Sequence, residues 1–175
     1  FPDLVYGLTL NLTYKNFDFS TLLQGVQGND VYFLFGNFAY ETQSRGFNSY
    51  KEILNRWTPT HTDTDIPKVS YDDRNGNRRI STRFLEDGSY LRFRNITLGY
   101  NLTHFLPKDW VRNVRIYTTV QNAFTFTKYP GLDPEIQANS NDTNGFGVSS
   151  DLAVGIDWGT VPAPRIFMVG IDLDF

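Results

Sequence analysis

At 175 residues, with a net charge of −3 and 20% charged residues, the chain has the length of a single domain and lacks the basic stripe or Lys/Arg run that nucleic-acid binding needs. The absence of cysteine removes disulfide frameworks, thiolate zinc sites and cysteine nucleophiles together. No stretch reaches the roughly 18 apolar residues of a membrane helix, and the mean hydropathy of −0.37 suits a soluble domain or strands that alternate apolar with polar residues.

Aromatic residues make up 16% of the chain, with 15 Phe and 10 Tyr, which favours strands. No signal peptide is visible, and Phe1 stands where a Met is expected, so the chain is expected to begin mid-protein.

Five segments alternate with period two. The first, 4–14, puts Leu4, Tyr6, Leu8, Leu10, Leu12 and Tyr14 on one face and Val5, Gly7, Thr9, Asn11 and Thr13 on the other. That is an apolar face backed by a largely polar one over about the 10 residues a membrane strand needs. Lys15-Asn16 predicts a tight turn into the second segment, 17–27, where Phe17, Phe19, Thr21, Leu23 and Gly25 share a face. The third, 89–102, places Tyr90, Arg92 and Arg94 at the head of the face that continues as Ile96, Leu98, Tyr100 and Leu102. The expectation is one face, charged above and apolar below. The fourth, 114–127, aligns Val114, Ile116, Thr118, Val120, Phe124 and Phe126, with Asn122 as the polar exception. The fifth, 165–175, carries the row Phe167, Val169, Ile171, Leu173 and Phe175, with Asp172 and Asp174 pointing the other way.

The connections alternate between short and long. Segments 28–88 and 128–164 are long, whereas the Lys15 turn and 103–113 are short. Membrane barrels have this asymmetry, with short periplasmic turns and long extracellular loops. In the first long connection, Ser49 and Glu52 predict a capping box, with Ile53, Leu54 and Trp57 continuing a helix that Pro59 ends. Five long strands with one apolar face need a cover, and the chain offers a single short amphipathic helix. Open strand edges would also invite aggregation. A closed barrel in lipid meets both demands. The expected fold class is therefore all-β: the last five antiparallel strands of a large transmembrane barrel.

The run Phe84-Leu85-Glu86-Asp87-Gly88-Ser89-Tyr90-Leu91-Arg92-Phe93-Arg94-Asn95-Ile96-Thr97-Leu98-Gly99-Tyr100 resembles a signature of the SusC/RagA family of TonB-dependent outer-membrane transporters. In order along the chain, Ile53 to Pro59 is similar to that family's loop helix, Gln121 to Glu135 to its penultimate strand and following loop, and Gly155 to Gly159 with Pro162 to Arg165 to the approach to its last strand. Trp158-Gly159-Thr160-Val161 departs from the family pattern, which has an aromatic residue before Pro162.

The resemblance implies a barrel of about 22 strands, with the plug domain upstream and absent here, and location in the bacterial outer membrane. It implies import of glycans or oligopeptides, energy drawn through TonB, and a SusD-like surface lipoprotein as partner. It also implies that Phe167, Val169, Ile171, Leu173 and Phe175 form the signal read by the barrel-assembly machinery. No cofactor and no covalent chemistry are expected.

Other motifs have plainer readings. The sequons at Asn11, Asn95, Asn101 and Asn141 lie mostly in strands, where Asn and Thr serve as polar-face residues. Asp73-Arg74-Asn75-Gly76 and the Asn141-to-Gly145 run lack the acids of a calcium loop and read as turns. Glu41, Glu52, Glu86 and Glu135 show no glycosidase pairing, and His61 and His104 lie apart with no neighbouring metal ligands. Trp57, Arg92, Tyr129, Phe146 and Trp158 are the candidates for touching substrate or the lid protein, against packing or a membrane-interface girdle as the alternative. Arg92 and Arg94 are expected near Glu86 and Asp87. Two other functions stay open: an adhesin or passive porin barrel, and a soluble β-sandwich that binds carbohydrate.

Overall fold

The computed structural model describes residues 1–39, 48–70, 72–77, 79–105, 112–136 and 155–174. The described strands are β1 (Leu4–Tyr14), β2 (Phe17–Gln27), β3 (Asp30–Tyr32), β4 (Leu85–Asp87), β5 (Tyr90–Asn101), β6 (Asn113–Thr127) and β7 (Ile166–Asp174). A short helix, α1, covers Leu34–Ala39, and 3-10 turns form at Lys51–Asn55, Thr82–Phe84 and Thr103–Phe105. The chain divides into two compact units, a sheet unit (Phe1–Asn29, Gly88–Tyr129, Pro162–Phe175) and a loop unit (Asp30–Asp87, Pro130–Val161).

The sheet unit is an antiparallel five-stranded sheet in the order β1-β2-β5-β6-β7. Its strands are long because alternation is long. β1 and β2 pair from Leu4↔Gln27 to Tyr14↔Phe17 without interruption, closed by a two-residue turn in which Lys15 takes the left-handed region at φ 54°. Residues directly opposite share a face, so the register defines rows across the sheet. One such row is Leu12–Phe19–Leu98–Thr118–Val169, and its neighbour is Leu10–Thr21–Ile96–Val120–Phe167. On the opposite face run Asn11–Ser20–Thr97–Thr119–Met168 and Thr9–Leu22–Asn95–Gln121–Ile166.

A bulge corrects the expected face of β5. Leu23 pairs with Phe93 and Leu22 with Asn95, so Arg94 is skipped. Phe93 and Asn95 therefore lie on opposite faces, although two residues apart. Leu91 and Phe93 join the apolar face, continuing Ile96, Leu98 and Tyr100, while Tyr90 and Arg92 lie on the polar face. The apparent half-charged, half-apolar face was a parity error of one residue. β6 answers the bulge with Asn122 at φ 51°, whose Nδ2 donates to the Pro164 carbonyl at 3.0 Å.

In the loop unit, β3 pairs antiparallel with β4, and Tyr32 bridges Ile156 in parallel. Val31, Phe33 and Phe84 are buried there. The predicted capped helix is shorter than expected: a 3-10 turn over Lys51–Asn55 with Tyr50 at its N-cap and no side-chain capping bond, closed at Arg56. Trp57 lies beyond it, its N–H donating to the Ile66 carbonyl at 2.8 Å. Asp73 and Gly76 make a tight turn, with the Gly76 N–H on the Asp73 carbonyl at 2.8 Å.

Candidate functional site

The apolar face of the sheet is uncovered. Phe167 and Val169 on β7 are 71% and 80% exposed, and Ile171, Leu173, Leu8, Leu12, Leu98, Phe124 and Phe126 are exposed as well. In water this would be costly, because apolar area is left wetted on every strand. Two hydroxyls on this face are satisfied internally. Thr21 Oγ1 donates to the Asn95 carbonyl at 3.0 Å, and Thr118 Oγ1 donates to the Met168 carbonyl at 3.1 Å. Neither needs water, which is what an apolar solvent requires of a strand. Aromatic rings gather at both ends of the face: Phe17 against Tyr100 at 4.6 Å, and Phe93 against Phe124 and Phe126 at 6.3 Å. The Arg165 guanidinium lies over the Phe124 ring at 5.8 Å.

The opposite face is a polar network. Thr97 and Thr119 share a hydrogen bond of 2.8 Å. Arg115 on β6 donates to both carboxylate oxygens of Asp18 on β2, at 2.8 and 2.6 Å, and to Asp172 on β7 at 2.8 Å. Asn101 and Thr103 both donate to Asn113 Oδ1, at 2.8 and 3.0 Å. Arg92 Nε donates to Thr125 Oγ1 at 2.9 Å and the guanidinium lies 5.4 Å from the Tyr90 ring. Arg94 Nε donates to Gln24 Oε1 at 2.8 Å.

In the loop unit Asp157, 1% exposed, organises the segment it sits in. Its Oδ1 accepts from the Gly159 and Thr160 N–H groups, both at 2.8 Å. Its backbone N–H reaches the Tyr32 carbonyl, and its own carbonyl accepts from Phe35. Tyr50 stacks on Phe33 at 6.5 Å and meets Phe35 edge-on at 6.3 Å. Burial, then the charges of Asp157 and Glu52, raise its phenol above the ordinary tyrosine value. Burial likewise raises the Glu86 carboxyl on β4.

The sequence candidates divide between the two units. Arg92 is 2% exposed and Tyr129 is buried, both in the sheet unit, whereas Trp57 and Trp158 are half-buried in the loop unit. Phe146 and Phe175 lie outside the described residues. Asp157 and the Asp18–Arg115–Asp172 group escaped the sequence reading. Their only sequence trace is an acid or arginine on the polar parity of a strand, or an acid followed by Trp-Gly.

A scan of the chain against protein-family models finds no match. Among curated proteins, the TonB-dependent receptor P3 of Formosa agariphila is 38% identical over 99% of this chain and 16% of its own length. The TonB-dependent receptor SusC of Bacteroides thetaiotaomicron is 31% identical over 99% of the chain and 15% of its own length. Over nearly its whole length the chain is similar to one stretch of SusC-type TonB-dependent receptors. Solved structures agree on the fold: the RagAB peptide importer in its closed-closed state superposes with a TM-score of 0.75 at 24% identity, over 100% of this chain and 17% of that one. Its open-open state gives 0.71 at 26% identity, over 100% and 17%. This receptor segment thus spans about one sixth of the curated relatives it matches. Its five-stranded sheet is a stretch of receptor barrel wall, which accounts for an apolar face without a protein cover.

Proposed function

We propose that this segment forms wall and loops of a TonB-dependent importer in the bacterial outer membrane, taking up glycans or oligopeptides with a SusD-like lipoprotein at its surface. The observation that carries the reading is the predominantly apolar face that runs across all five strands, its hydroxyls bonded internally, backed by a hydrogen-bonded polar face. Its height supports it. β1 has 11 residues; at about 3.3 Å each and a tilt of about 40° it rises roughly 28 Å, enough to cross the apolar band of about 25 Å of such barrels. The apolar face then meets lipid and the polar face lines the lumen. The long connections face outward, where they meet substrate and lipoprotein, and TonB is engaged by parts of the receptor upstream. The row Phe167, Val169, Ile171, Leu173 with Phe175 serves the barrel-assembly machinery as its insertion signal.

Fractionation of cells making the complete parent receptor tests this reading. The parent is expected in the outer membrane, to migrate heat-modifiably, and to bring down a co-encoded lipoprotein. Removal of Phe175 is expected to cut assembly. A soluble, folded parent indifferent to that removal would overturn the reading in favour of a carbohydrate-binding sandwich. An assembled barrel that supports no uptake of glycan or peptide would favour a passive porin or adhesin.

A further inference from the structure

The apolar row of β7 cannot by itself fix where β7 pairs. A slip of one residue would turn its apolar residues to the polar face, but a slip of two keeps every face. Phe167, Val169, Ile171 and Leu173 would simply trade places in the same apolar environment. Charge does not exclude one of the two such slips either. In the native register Arg115 faces Asp172, and moving β7 by two residues brings Asp174 to the same place.

One row on the polar face does discriminate. It runs Thr13–Asp18–Gly99–Tyr117–Gly170 across all five strands. Large and small alternate along it. A Cβ on Gly170 would meet the Tyr117 Cζ and hydroxyl, and one on Gly99 would meet Asp18 Oδ1 and, at 2.6 Å, Arg115 Nε. Arg115 leans over Gly99 to reach Asp18 two strands away, and its guanidinium lies 4.9 Å from the Tyr117 ring. The ring is thus held between an arginine and the bare backbone of Gly170. A two-residue slip in either direction would put Asp172 or Met168 opposite Tyr117, where a side chain would meet the ring and have to displace it.

We propose that this row is the register key of β6 and β7: Tyr117 seated on Gly170 selects the native pairing of β7 with β6 from the slipped pairings that the apolar alternation allows. The inference rests on strand pairing alone and stands apart from what the receptor imports.

The test uses the complete receptor in its own membrane, with paired cysteines that report register. Thr118→Cys with Val169→Cys reports the native pairing, while Thr118→Cys with Ile171→Cys or with Phe167→Cys reports the two slips. The native pair is expected to cross-link and the slipped pairs to stay reduced. Gly170→Val is expected to lower the native cross-link about tenfold, because the valine must push the seated Tyr117 ring aside, and to raise a slipped one. Tyr117→Ala alone removes the ring that reads the register and should let a slipped pair cross-link beside the native one. Full native cross-linking in Gly170→Val, or a Tyr117→Ala receptor that cross-links in the native pair alone, would overturn the proposal.

Discussion

Two single residues in the loop unit decide how firmly it holds together. Asp157 is buried and accepts from two backbone N–H groups while its own backbone bonds to Tyr32 and Phe35. Asp157→Ala removes the side-chain acceptor at about 1–2 kcal/mol per bond lost. Amide exchange at Tyr32, Phe35 and Gly159 of the parent receptor should then quicken by an order of magnitude or more, with the β1–β7 sheet unchanged. Glu86 acts in the opposite sense. Burial raises its carboxyl above the ordinary value, so folding favours the protonated form. Its contribution is fully present below the unfolded pKa and is lost as pH rises through the folded one. Glu86→Gln should therefore slow exchange of the β3–β4 amides at neutral pH and leave them unchanged near pH 4. Neither role was legible in the sequence. An aspartate before Trp-Gly and a glutamate in a three-residue strand carry no mark of burial, because burial there is made by segments far away in the chain.

At the scale of the element, each strand of the sheet presents two solvents with one alternation. That makes neighbouring positions on β7 unequal. Val169→Lys on the apolar face is expected to cost about 2–4 kcal/mol at mid-bilayer depth and to reduce heat-modifiable receptor in the membrane. Met168→Lys, one residue away on the polar face, should assemble nearly as well as the parent. The five-stranded, antiparallel all-β class was readable because a period of two sustained over about ten residues has few other physical explanations. The face of Tyr90 and Arg92 was not, since a bulge changes parity without changing composition. The loop elements were also hidden. β3 and β4 have three residues each, too few for periodicity to show, and the hydrophobic spacing after Ser49 suggested a longer helix than the 3-10 turn that forms.

At the scale of the whole molecule, β1 and β7 each pair with one neighbour among the described strands, and both present open edges. An isolated sheet of this kind would expose apolar surface and unpaired backbone together, so its stability belongs to the barrel of which it is a part. The family was readable from several motifs in a fixed order, spread over most of the chain. The candidate contact residues were not resolved into a site in the same way. Arg92 and Tyr129 are buried in the sheet unit, Trp57 and Trp158 are half-buried in the loop unit, and exposure, which contact with a ligand needs, has no signature in residue type.

The bulge at Arg94 gives the chain something like a reading frame. Below it, even-numbered residues of β5 lie on the apolar face; above it, odd-numbered ones do. Arg94 is the extra letter that sets the frame: deleting it would leave simple alternation, with Leu91 and Phe93 still on the apolar face and Tyr90 and Arg92 still on the polar one. Flattening the bulge with Arg94 kept would instead be a frameshift in space, turning Tyr90 and Arg92 onto the apolar face with every codon still correct. Descendants of this sequence can therefore lose one residue at that point without disturbing a face, but elsewhere in the strand a one-residue change needs a second nearby that sets the frame back.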